Sequence, residues 1–160
     1  MVTYYTVSSY VNAMLIMARD RSYLELQEIL KDRKVLIWTC NTCARMCYGL
    51  GGKDSAERLA NRLSEDGVDV RGVLSVSAAC IESKVLLRRE EVENKNADII
   101  LALMCSIGTR CAERIFGMPV VNPVKTYGLG YLSAAGDPVI VSEEGERILS
   151  EVSDNSGPFV

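Results

Sequence analysis

Between Ser8 and Lys31 apolar residues recur among charged ones at roughly helical spacing, Val11, Leu15, Leu24 and Ile29 among them, without a glycine or proline. The spacing predicts one long or two short helices, a helical N-terminal extension over residues 1–33. At KVLIWTC, residues 34 to 40, the pattern changes to a compact apolar run of strand length. A glycine cluster follows, and then DSAERLANRLSEDG, where Ala56, Leu59, Ala60 and Leu63 make a helical stripe that Gly67 stops. This is a strand, a loop and a helix, and the unit recurs. VDVRGVLSVSAAC ends in Cys80 ahead of the helical IESKVLLRREEVENKN, ADIILALMC ends in Cys105 ahead of SIGTRCAERIFG, and MPVVNPV supplies a fourth short strand.

Strands alternating with helices of this length imply right-handed crossovers and a small open parallel sheet with helices on both faces, a Rossmann-like α/β domain over residues 34–152. Beyond Thr126 the pattern weakens. YGLGYLSAAGD reads as a glycine-rich loop or turn, PVIVSE as an edge strand, and EGERILSEV as a last helical turn or two. Residues 153–160 read as a flexible tail.

In an open α/β sheet the functional crevice lies beyond the carboxyl ends of the strands, and three of the expected strands end there in a cysteine. Cys40, Cys80 and Cys105 are far apart in sequence, yet this register carries them to one sheet edge, with Cys43 and Cys47 in the loop above. Five thiols are therefore expected to converge. Cys111 falls six residues into the third helix, rotated away from Cys105, and with Ile115 it reads as part of that helix's inner stripe.

The chain has 160 residues and a net charge of -3, enough for one well-cored domain and without the basic excess that nucleic acid or an anionic membrane calls for. The longest apolar run near the start, AMLIMA, is too short for a membrane span or an ordinary signal segment, so a cytoplasmic location is expected. In a reducing compartment the thiols point to metal ligation or redox chemistry rather than to a disulfide framework. There is no histidine, which removes nucleophile–histidine catalysis and histidine-ligated metals.

A site of four thiolates suits an iron–sulfur cluster or a structural zinc. Zinc sites commonly staple small domains that need the metal to fold, whereas this domain has sheet and helices enough for its own core. The placement favours a redox cluster, with zinc the alternative and free or redox-active thiols a third. Gly49, Gly51 and Gly52, in GLGGKDS at a helix start, form a second candidate: a phosphate cradle or a tight turn that packs the backbone against a cluster. The sequence lacks both the dinucleotide and the Walker spacing, which favours the turn.

The series TCNTCARMCYGLGGKDSAERLANRLSEDGVDV, AACIESKVLLRR and ADIILALMCSIGTRCAERIFGMPVVNPVKT, within residues 34 to 126, resembles the small iron–sulfur subunit of two-subunit methylenetetrahydrofolate reductases. That family shows C-x2-C-x3-C plus glycines after its first strand and single cysteines at the positions of Cys80 and Cys105. It implies a non-catalytic or accessory electron-transfer subunit of an oxidoreductase in one-carbon metabolism, working in a hetero-oligomer with a flavin-bearing reductase subunit or another redox protein. Family members carry a second cysteine-rich segment that is not found in this sequence, so a minimal form with one 4Fe-4S cluster is expected. Cys43, Cys47, Cys80 and Cys105 are the preferred ligands by reach, with Cys40 next. Tyr4, Tyr5, Tyr10, Met14 and Met17 offer either a docking surface for the partner or a helix packed on the core. A zinc-stabilised interaction module and a small-molecule-binding enzyme subunit are the alternative functions.

Overall fold

A computed structural model describes residues 13–155 and 157–159 of the chain. In order the elements are β1 (Met14–Arg19), α1 (Tyr23–Leu30), β2 (Lys34–Cys40), α2 (Cys43–Met46), α3 (Lys53–Glu65), β3 (Asp69–Val76), α4 (Glu82–Leu86), α5 (Arg89–Glu93), β4 (Ile99–Leu103), α6 (Ser106–Phe116), β5 (Val120–Val121), β6 (Val124–Leu132), β7 (Pro138–Ser142), β8 (Gly145–Ile148) and α7 (Leu149–Val152). They build two four-stranded sheets, one parallel in the order β3-β2-β4-β5 and one in the order β1-β6-β7-β8 whose pairings are all antiparallel.

The parallel sheet realises the expected α/β architecture. Its central strands are buried along almost their whole length, every residue of β4 and all of β2 after Lys34. This is why they read as unbroken apolar runs rather than alternating ones. The chain leaves β2 toward one edge, through α3 to β3, and then returns past β2 through α4 and α5 to β4. Right-handed crossovers in opposite directions place α3 on one face and α4, α5 and α6 on the other, and α6 packs against both α4 and α5. The connections diverge between β2 and β4, so the switch point lies above Cys40 and Cys105.

The N-terminal extension is not helical where the structure describes it. Residues 14–19 form strand β1, paired with β6, and only Tyr23–Leu30 is helix, opened by a capping box between Ser22 and Glu25. The apolar run is six residues long with Ile16, Met17 and Ala18 buried in succession, which is strand length and strand burial. Met14 and Met17 are accordingly core residues, not a docking surface. Tyr4, Tyr5 and Tyr10 lie outside the described residues.

The segment expected to be a glycine-rich loop is strand β6. Opposite it the register shifts between Ile16, paired with Gly128, and Met17, paired with Thr126. Gly128 sits at this bulge with φ at +135°, where a side chain would be strained. Residues 138–142 form strand β7, which is not the expected edge strand but lies between β6 and β8; of the segment expected to be helical, Gly145–Ile148 is strand β8 and only Leu149–Val152 is helix. After α7 the Asn155 carbonyl accepts from the Arg19 N–H at 3.0 Å, and Phe159 is buried. No described helix is long and apolar enough to cross a membrane.

Candidate functional site: thiols at the switch point of the parallel sheet

Thr39 organises the site although it carries none of its chemistry. As the fully buried penultimate residue of β2, it donates its hydroxyl to the Leu103 carbonyl at 3.0 Å and accepts the Gly52 N–H at 2.8 Å. One side chain thereby ties β2, β4 and the glycine loop together. Gly51 lies in the same junction. A Cβ there would stand 2.6 Å from the Leu103 carbonyl oxygen and 2.9 Å from Thr39 Oγ1, so only glycine lets the loop pass this close to the strand ends. Sequence reasoning missed Thr39; a lone hydroxyl in the apolar run VLIWTC was the available signal.

The loop closes on itself. The N–H groups of Gly49, Leu50 and Gly51 donate to the carbonyls of Arg45, Cys47 and Ala44 at 2.9 to 3.1 Å, and Lys53 N–H donates to Asn41 Oδ1 at 2.9 Å. With Gly52 committed to Thr39, Gly49, Gly51 and Gly52 build a tight turn whose amides serve the fold itself. Beside it a cavity of about 270 Å³ is lined by Arg45, Lys53 and Arg58 together with Asn41, Asp54 and Ser55.

The cysteines fall into three settings. Cys40 and Cys105 cap the ends of adjacent parallel strands, and each sulfur accepts one backbone N–H at 3.5 Å, from Ala79 and Gly108 respectively. Cys40 Sγ also lies 2.9 Å from Thr42 Oγ1. Cys105 is the N-cap of α6, and the antiparallel sheet helps hold that helix start, since Ser106 N–H donates to Thr126 Oγ1 at 2.9 Å. Burial pushes the Cys105 thiol up; the N–H groups of Gly108 and Ile107 oppose this, and the thiols of Cys40 and Cys43 add to it. Cys43 is half-buried at the start of α2.

Cys47 is turned elsewhere. It is fully buried beneath β1, donates to the Leu15 carbonyl at 3.6 Å, and has its pKa raised to about 11, chiefly by desolvation. Cys80 is exposed at the rim, one residue after the Ala79 whose N–H meets Cys40, and beyond it Cys111 is buried on α6. Cys40 and Cys105 thus stand at the crevice end of adjacent parallel strands, Cys43 lies in the loop after Cys40, Cys80 is exposed, and Cys47 is directed into the core beneath β1.

Thiols are soft donors once ionised, and two of these accept backbone N–H groups at the crevice end of the parallel sheet. As the side chains stand, no three Cys, Asp or Glu residues among those described are grouped closely enough to hold a metal ion. No family model matches the chain, and no curated protein or solved structure matches it.

Proposed function

We propose that the chain is an iron–sulfur electron-transfer subunit whose cluster is held by Cys40, Cys43 and Cys105, with Cys80 as the fourth ligand. The observation that carries this is the pair of N–H···S contacts, from Ala79 to Cys40 and from Gly108 to Cys105, at the switch point of the parallel sheet. Such donors stabilise negative charge on sulfur and tune a thiolate-ligated centre. A bound cluster would supply one-electron storage and transfer. The protein's own part is to keep Cys40 and Cys105 on rigid strand ends, to shield them from water, and to present Cys43 and Cys80 from the loop above and the rim. Cys47 takes no part, because its thiol serves the core beneath β1.

The flavin-bearing reductase partner and the one-carbon carrier, a folate or pterin, rest on the sequence resemblance of residues 34 to 126, and the cytoplasmic setting on the short apolar run AMLIMA. Anaerobic purification with metal analysis and a visible spectrum tests the assignment. Brown protein with about four iron and four sulfide per chain is expected. Cys40→Ser and Cys105→Ser should lose the colour while Cys47→Ser keeps it. Colourless protein with one zinc per chain would overturn the assignment in favour of a structural module.

A further inference from the structure

Cys80 and Cys111 were expected to have nothing to do with one another, one a ligand and the other a core residue. The contact between the segment entering α4 and one face of α6 brings them together. Along that face Gly108, Cys111 and Arg114 succeed one another at helical spacing. At one end Ala79 packs against Gly108 so closely that a Cβ on the glycine would stand 3.2 Å from the alanine's. At the other end Arg114 pairs with Glu82 at 3.5 Å. Cys80 lies between Ala79 and Glu82, and Cys111 lies between Gly108 and Arg114. Two contacts in matching order therefore bracket the two cysteines and place both at the same α4–α6 contact.

Their exposures are complementary. Cys80 is exposed, whereas Cys111 is 6% exposed.

We propose that Cys80 and Cys111 form a dithiol site that a hydroperoxide oxidises to a disulfide across the α4–α6 contact. The Cys80 sulfur, as thiolate, attacks the outer peroxide oxygen; the O–O bond breaks, and the other oxygen leaves and takes up a proton as water or an alcohol. Cys80 is now a sulfenic acid. The Cys111 sulfur attacks the Cys80 sulfur, the S–O bond breaks, and the oxygen leaves as water with the proton Cys111 gives up. Two thiols have lost two electrons and two protons, and the peroxide has taken them. Oxidation withdraws Cys80 from the switch point. The disulfide forms only while the Cys80 sulfur is free of any metal, and its formation rests on the α4–α6 contact alone.

The test uses the full chain, reduced and freed of metal, treated with limiting hydrogen peroxide, alkylated and mapped by peptide mass spectrometry. A Cys80–Cys111 cross-linked peptide is expected to exceed any peptide joining Cys80 to Cys40, Cys43 or Cys105 by about tenfold, because disulfide geometry is selective. In Cys111→Ser a sulfenic acid on Cys80 should persist and react with dimedone; in Cys80→Ser, Cys111 should remain a free thiol. Cys80 joined chiefly to a switch-point cysteine, or oxidised further while Cys111 stays reduced in the unmutated chain, would overturn the proposal. Because the mapping reads the unmutated protein, a variant that fails to fold does not decide the outcome, and metal content plays no part in it.

Discussion

In the parallel sheet β4 is buried at every position and β2 at all but the first, while in the antiparallel sheet β8 is largely exposed and β6 buries only Val124 and Gly130. The parallel sheet, covered on both faces, holds two sulfurs at fixed strand ends. The antiparallel sheet, more open along β6 and β8, works as a clamp: Leu15 of β1 receives the Cys47 thiol, and Thr126 of β6 caps the helix that begins at Cys105. Rigidity sits where the chemistry is proposed, and the more open sheet holds that region in place from outside.

The contrast breaks most visibly at Trp38, fully buried in β2 with its ring edge-to-face on Phe116 at 5.2 Å. Trp38→Ala should cost about 4 kcal/mol in denaturant unfolding, and a loss no larger than that of an exposed residue would mean that the parallel sheet is not the rigid half. Next comes Gly51→Ala, which pushes a methyl into the Leu103 carbonyl, Ala44 and Thr39. About 3 kcal/mol is expected, together with faster alkylation of Cys40 as the loop lifts.

The clamp itself is open to a pH test. Cys47 stays protonated in the fold to about pH 11, whereas in the unfolded chain it ionises near its ordinary value of 9.0. The unfolded state therefore gives up its proton first, so the stability present below pH 9.0 falls as pH rises toward 11. The loss should be about 2 kcal/mol and should vanish in Cys47→Ala when the two stability–pH curves are subtracted; coincident curves would show that Cys47 is not held between the sheets. The smallest effect belongs to Leu129 of β6, 61% exposed. Leu129→Ala should stay within about 0.5 kcal/mol of the unmutated chain, and a larger loss would reveal a covered face on the antiparallel sheet.

The parallel half of the fold was legible because its strands are buried on both faces and its helices carry clear stripes; Ala56, Leu59, Ala60 and Leu63 are all buried as their spacing predicts. The antiparallel half was not. Met14–Arg19 mixes apolar and charged neighbours in a way that helix and strand periods both accommodate, and its partner β6 carries glycines for a bulge and a close strand approach that look like a loop from sequence. Among the thiols, spacing put Cys40, Cys80 and Cys105 at strand ends; Cys40 does end β2, while β4 stops at Leu103 just before Cys105 and β3 stops at Val76, four residues before Cys80. Spacing could not tell which sulfurs of the short loop face the crevice, because a single-turn helix and three glycines set those directions through hydrogen bonds rather than periodicity. Cys111 was read as part of its helix's inner stripe, and it is buried there.

The glycine loop completes its hydrogen bonds within the protein, through Thr39, Asn41 and its own carbonyls. Small thiolate domains that fold only around their metal must acquire it during folding. This loop is held by the chain alone, so were the proposed cluster to bind at the switch point, its loading would be a maturation event that follows folding rather than one that drives it.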